Sequence, residues 1–365
     1  MAQFLSNLAQ LARHSFGSRW PANRAIIMIK KYTKQLLIVL AFVAIAGGGF
    51  VASEAIEATG SVSAFSSAEK VRFLPHWLPQ AQFAGYYMAQ KQGIFAKYGI
   101  DIEILTGKAR TLSLDDLRIG AADFSTSFLS SAIKSYAAGN PIVNICQLSG
   151  KSALLFVAKK SSGIQSIADL NGKRIGIWKS GFQEVPLAFL QSRQIKAEIV
   201  PIKSTVNLFL QGGVDVLTVM TYNEYHQLIN AGLNEDEMTV FSLSDNNFNV
   251  PEDGIYCSKD LWHSNPDLCQ RFVRAAREGW QYAFEHEEET LDEVLARMYA
   301  EKIPANRAHQ RWQLRAMKEL YTLGGELLSG KLRQEDFKLT ASILLQSGAI
   351  KETPSFRDFF KGESK

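Results

Sequence analysis

Six histidines, three cysteines and a scatter of carboxylates are the side chains here that could support metal or covalent chemistry, and their spacing gives them little opportunity. The histidines at positions 14, 76, 226, 263, 286 and 309 include no pair three or four residues apart, so no helix can turn two imidazoles toward one metal ion. Cys146, Cys257 and Cys269 are too widely separated for a metal knuckle, and an odd number cannot all pair within one chain. They are expected as small core residues, with a structural disulfide the unsupported alternative. After residue 64 there is no P-loop, no G-x-S-x-G elbow and no Rossmann glycine pattern. No catalytic residue, metal or cofactor is expected.

What remains suits non-covalent recognition. Trp77 and Pro79 fall just after the first strand, VRFLPH, where the indole could stack on a flat ring or simply pack under a loop. Gln82 could hydrogen-bond a ligand edge or stand exposed. Tyr86 and Tyr87 are neighbours on one helix, so they cannot both face a cleft; Tyr86 is taken as the candidate, with Tyr87 the open alternative. Gly85 beside them allows close approach of a ligand or of another helix. Ser125, Thr126 and Ser127 are read as following a strand and opening a helix, where hydroxyls and free amides hold an oxygen or merely cap. Trp178 and Glu184 lie on a strand-to-helix loop. The Glu184 carboxylate could accept a ligand's N–H groups or complement the helix dipole. Tyr222 and Glu224 repeat the pattern, with Asn223 as the alternative cap. Asp253 and Tyr256 are expected to make hinge contacts at most.

The elements that position these residues alternate in type. VRFLPH, IDIEIL, IVNICQL, ALLFVAK, RIGIW, AEIVPI and VDVLTVM read as strands; FAGYYMAQKQG, LSLDDLRIG, SSAIKSYAAG, EVPLAFLQSR, VNLFLQGG and NEYHQLINAG read as helices. That alternation predicts α/β sheets covered on both faces. The polar, Gly-bearing stretch SSGIQSIADLNGK reads as a crossover between lobes, and from Pro266 nearly everything is helical. The expected division is a first lobe over 65–160, a second over 161–256, and completion of the first lobe with C-terminal helices over 257–365.

Residues 1–64 are set apart. From Met28 a basic start leads into an apolar run over 36–52 and then small residues, the layout of a signal peptide, with the preceding extension suggesting Met28 as the true start. Cleavage is expected after Ala46 or Ala55. An uncleaved anchor is the alternative, weakened by Gly47-Gly48-Gly49. The formal charge of +4 originates here: six of the 40 basic and two of the 36 acidic residues fall in 1–64, leaving 34 of each beyond. A neutral body without a basic cluster argues against a nucleic-acid partner.

Residues 72–105, with Trp-x-Pro, Gly-Tyr-Tyr, Gly-x-Phe and Tyr-Gly before a strand, resemble the opening of thiamine-pyrimidine-synthesis-like solute-binding proteins, relatives of alkanesulfonate and taurine receptors. Gly120-Ala121-Ala122-Asp123-Phe124, Gly139-Asn140-Pro141-Ile142-Val143, Asp169-Leu170-Asn171-Gly172-Lys173-Arg174-Ile175-Gly176 and Tyr222-Asn223-Glu224 follow in the family's order, to about residue 290. The resemblance implies a type II periplasmic-binding-protein fold: two doubly wound lobes hinged over a small polar ligand, with a helical C-terminal region. It further implies a periplasmic monomer serving the membrane permease of an ABC importer, with a thiamine pyrimidine precursor or a sulfonate as ligand. A single-turnover pyrimidine synthase shares the family. Such an enzyme's substrate histidine falls at Ser131 and its cysteine-rich motif at NNFNVPED, so both requirements fail here. A sensory ligand-binding protein is the third alternative.

Overall fold

In the computed structural model the described residues are 68–107, 113–178, 182–203 and 205–362. The expected leader, its cleavage points and Met28 lie outside them, as do residues 179–181 of the loop before Glu184. Among the described residues no helix is long and apolar enough to cross a membrane.

Apolar runs short enough to be strands assemble into two five-stranded sheets. The first contains β1 (Glu69–Leu74), β2 (Ile100–Ile104), β3 (Phe124–Phe128), β4 (Ile142–Gln147) and, from much later in the chain, β10 (Asp253–Ser258). Its order is β2-β1-β3-β10-β4. The second is built from β5 (Leu154–Lys159), β6 (Arg174–Trp178), β7 (Glu198–Ile202), β8 (Val216–Met220) and β9 (Met238–Ser242), ordered β7-β6-β8-β5-β9. Strand β1 pairs in parallel with β2 and β3, as β6 does with β7 and β8. One strand in each sheet runs against its neighbours: β10 between β3 and β4, and β5 between β8 and β9.

Strand membership shifts both expected lobe boundaries. ALLFVAK, placed at the end of the first lobe, is β5 and belongs to the second sheet; Asp253–Ser258, placed at the end of the second lobe, is β10 and belongs to the first. The polar stretch 160–172 holds short 3-10 turns that follow β5. The chain changes sheets earlier, over 148–153, and returns over 243–252. The two passages are tied together. Glu252 accepts from Ser152 Oγ at 2.8 Å and Ala153 N at 2.9 Å, and Asn249 accepts from Ser152 N at 2.8 Å.

Helices cover the sheets: α1 (Ala84–Lys91), α2 (Leu129–Ala137), α3 (Glu184–Ser192), α4 (Glu224–Asn230), α5 (Pro266–Glu285), α6 (Glu287–Ala300), α7 (Arg307–Tyr321) and α8 (Gln334–Gln346). Gly85 resolves to its helix-packing alternative. A Cβ on Gly279 of α5 would sit 2.2 Å from the Gly85 carbonyl oxygen, and one on Gly85 would sit 2.3 Å from the Trp280 ring. Both positions must be glycine for the two helices to touch through their backbones. Tyr86 and Tyr87 are both buried. Tyr86 lies 4.2 Å from the Phe73 ring, and Tyr87 lies beneath the Arg297 guanidinium of α6.

Candidate functional site

Parallel strands end along one edge of each sheet, and the loops that follow them carry the exposed amides and side chains of an α/β fold. In the first sheet that edge holds His76, two residues beyond β1, and Gln82 on the 3-10 turn Ala81–Phe83. Because β10 runs antiparallel, its first residue, Asp253, meets the last residue of β3, Phe128, at this same edge. Tyr222 follows the end of β8 in the second sheet, and Tyr321 closes α7.

These side chains meet in a buried polar cluster. Gln82 Nε2 donates to Asp253 Oδ1 at 3.2 Å and Oδ2 at 3.1 Å, and to the Tyr222 hydroxyl at 3.3 Å. Tyr321 donates its hydroxyl to Asp253 Oδ2 at 2.8 Å, and Gln80 Nε2 donates to Gln82 Oε1 at 2.7 Å. His76 Nε2 lies 3.8 Å from Asp253 Oδ1, while its Nδ1 and backbone N contact Thr126 Oγ1 at 2.8 and 3.1 Å. Gln82, Tyr222, Asp253 and Tyr321 are each at most 3% exposed. Tyr222 brings the second sheet into the cluster.

Burial sets the protonation states. It lowers the His76 pKa against the opposing pull of Asp253, so the imidazole is neutral near pH 7. Burial first, then the neighbouring Asp253 charge, pushes the Tyr222 and Tyr321 hydroxyls well above their ordinary value, which keeps them donors. A row of rings runs beside the cluster. Phe83 and Phe128 lie 5.3 and 4.9 Å from the His76 ring, Phe182 lies 4.9 Å from Phe128, and Trp178 lies 6.4 Å from Phe182. The row therefore passes from the loop after β1 to the loop after β6.

The residues singled out from sequence divide into three groups. Gln82, Thr126 and Tyr222 are brought together, through His76 and Asp253. Trp77 packs half-buried at the margin of the main core, Trp178 joins the ring row, and Tyr86 lies within the core beneath the cluster. Ser125, Glu184 and Glu224 are engaged elsewhere, and Ser127 lies within β3 opposite Gly254.

Ser125, Thr126 and Ser127 do not open a helix. They sit inside β3, all three paired with β10 and Ser125 also with β1, and α2 begins only at Leu129. Ser125 accordingly donates to the Leu74 carbonyl at 2.7 Å. Glu184 does start α3, but its carboxylate takes the Lys134 ammonium of α2 at 2.8 Å, an ion pair linking helices of the two sheets. Glu224 turns back on its own strand. It accepts from Met220 N and from Asn223 Nδ2, both at 3.1 Å, and burial holds its pKa above the ordinary value. The expected Asn223 cap is thereby replaced, since Asn223 makes no side-chain cap bond and its Oδ1 lies 3.2 Å from His309 Nε2.

Sequence reasoning gave no weight to His76, Asp253, Tyr321, Phe128 or Phe182 at the site. Only His76, directly after a strand and before Trp77, carried a local signal. A surface cavity of about 380 Å³ lined by Lys159, Lys160, Asp236 and Glu237 is unrelated to the cluster. It lies where Lys159 meets Met238, the start of β9, at the opposite edge of the second sheet. Among the described residues no group of three or more His, Cys, Asp or Glu is placed to hold a metal ion.

Two sheets with exchanged strands and a buried polar cluster at their strand ends define a periplasmic-binding-protein fold. The periplasmic aliphatic sulphonate binding protein SsuA of Escherichia coli superposes with a TM-score of 0.64 over 82% of this chain and 96% of its own, at 17% identity. The profile of the family described as NMT1/THI5 like matches residues 80–290, and the chain belongs to that family. The riboflavin-binding protein RibY of Chloroflexus aurantiacus is 26% identical over 61% of this chain and 65% of its own length. The 4-amino-5-hydroxymethyl-2-methylpyrimidine phosphate synthase of Legionella pneumophila is 27% identical over 30% of this chain and 35% of its own. The chain thus spans just under two thirds of the first relative and about a third of the second.

Proposed function

We propose that this chain is the exported solute-binding component of an ABC importer, holding a flat heterocycle that contains a pyrimidine ring by that ring's polar edge. The observation that carries the reading is the buried Gln82–Asp253–Tyr222 cluster, drawn from both sheets and flanked by aromatic rings. Asp253 accepts an N–H, and Gln82 offers one donor group and one acceptor, which complements the alternating donors and acceptors of a pyrimidine edge. Trp77, Phe128, Phe182 and Trp178 supply faces for the ring. Relatives named for riboflavin binding and for pyrimidine synthesis support the same ligand class.

Closure then follows from which contacts exist only when the sheets approach. Separating them breaks the Gln82–Tyr222 bond and the Lys134–Glu184 pair, leaving the Tyr222 hydroxyl free while Gln82 keeps its bonds to Asp253 until ligand exchanges for them. Asp253 and Tyr321 stay bonded on the first side. Ligand that bridges Gln82, Asp253 and Tyr222 favours the closed form because only that form makes all three contacts. The closed form is what a membrane permease partner recognises, and one copy of the chain suffices. Ligand leaves unaltered.

A thermal-shift panel of the purified protein with an aminopyrimidine, riboflavin, an alkanesulfonate and an amino acid tests the proposal. The aminopyrimidine or riboflavin raises Tm by mass action and is recovered unchanged by mass spectrometry. A shift with the sulfonate alone overturns the ligand class, and recovery of a converted pyrimidine overturns the receptor reading.

A further inference from the structure

Cys257 lies near the end of β10 and Cys269 in the first turn of α5, twelve positions later. Both are fully buried free thiols, with their sulfurs 3.8 Å apart. Burial alone is the ordinary condition of a core cysteine. The further feature is that these two sulfurs are in contact with each other. Cys146, the remaining cysteine, lies on β4 opposite Ile255.

We propose that Cys257 and Cys269 close to a disulfide when the chain folds in an oxidising environment. The oxidant is a disulfide-exchange partner, a protein disulfide or glutathione disulfide. Its S–S bond breaks as the Sγ–Sγ bond forms, the two thiols give up two protons and two electrons, and the partner leaves as two thiols. Bringing the sulfurs from 3.8 Å to the bonding distance of about 2.0 Å requires rotation about the two Cα–Cβ bonds. Burial pushes the Cys257 thiol up, which makes it a poor nucleophile once folded. The exchange therefore precedes the final packing of α5, and afterwards the same burial shields the bond from reductants. The bond fastens the start of α5 to β10, the strand between β3 and β4 in the first sheet. Its physiological setting rests on the export proposed above, but the pairing chemistry does not.

The full chain is unfolded with reductant, refolded in a glutathione redox buffer, then denatured and alkylated with N-ethylmaleimide. The intact mass is expected to show one adduct, on Cys146, against three for protein kept reduced. Peptide mapping is expected to recover a 257–269 cross-link that is unchanged in Cys146→Ala and absent in Cys269→Ser. The oxidised form melts about 3–8 °C above the reduced one. Three adducts after oxidative refolding, or a cross-link through Cys146, overturns the pairing. Given closure in vitro, the thiol state of protein taken from cells reports the compartment, so reduced protein there counts against export and leaves the pairing standing.

Discussion

The carboxyl group of Glu252 joins the two passages between the sheets, and it does so from a fully buried position. Burial raises its pKa from 4.5 to about 8, helped by the charge of Asp253 and opposed by the hydrogen bonds from Ala153 N and Ser152 Oγ. A folded pKa above the unfolded one means that the folded chain binds the proton more tightly. Its stabilising contribution is therefore complete below pH 4.5 and is lost as pH rises through about 8. Taken over that interval the loss amounts to roughly 3–5 kcal/mol. Glu252→Gln keeps the side-chain shape and an acceptor for Ser152 and Ala153 but cannot ionise. Urea unfolding of both proteins between pH 5 and 8.5, followed by tryptophan fluorescence, isolates the residue as a difference between two curves. The variant should be within about 1 kcal/mol of wild type at pH 5 and more stable by about 2–4 kcal/mol at pH 8.5, with unchanged m. Parallel curves, or a wild type that gains on the variant as pH rises, refute the reasoning.

Three further perturbations act on the helix contact, the inter-sheet ion pair and the buried His226. Gly279→Ala places a methyl 2.2 Å from the Gly85 carbonyl oxygen and should destabilise by about 1–3 kcal/mol in chemical denaturation, without changing ligand affinity. Lys134→Ala removes the ion pair between α2 and α3; with Lys134 about a third exposed, unfolding free energy should change by less than about 1 kcal/mol, while calorimetry shows about two- to fivefold weaker ligand binding. His226 of α4 faces His309 and Trp312 of α7, and burial followed by the His309 neighbour depresses its pKa to about 4. Its contribution is present above pH 6.5 and lost as pH falls toward about 4, so His226→Gln should flatten the acid limb of a Tm-against-pH profile.

The strands were legible because β6 and β8 are short, largely apolar runs followed by turn residues and β1 alternates Lys70, Arg72 with Val71, Phe73, and the helix α5 because Asn265-Pro266 announces it. What escaped depends on partners distant in sequence. The polar stretch 160–172 resembles a linker, while the actual passage over 148–153 is short, partly apolar and held by Glu252 and Asn249 from about a hundred residues away. Asp253 matters because β10 inserts antiparallel between β3 and β4, and nothing local in NVPEDG states that pairing. Tyr321 comes from the C-terminal helices, where the family resemblance has already faded. Glu184 was correctly placed at a helix start, but its partner Lys134 lies on another sheet's helix, beyond the reach of a periodicity argument. Ser125–Ser127 misled for the opposite reason, since three small polar residues before a helical pattern look like a cap even when a ladder holds them extended.

The central claim is that the polar cluster at the strand ends holds the ligand, and Asp253 is its hub. Isothermal titration of wild type and Asp253→Asn with an aminopyrimidine and with riboflavin, alongside their thermal unfolding, tests this most directly. Saturable binding of one of these ligands to wild type is expected, with at least a tenfold loss in a variant that remains folded, because the charge-assisted hydrogen bond is replaced by a neutral one. Wild-type affinity in folded Asp253→Asn, or no binding of either ligand to wild type, would contradict it.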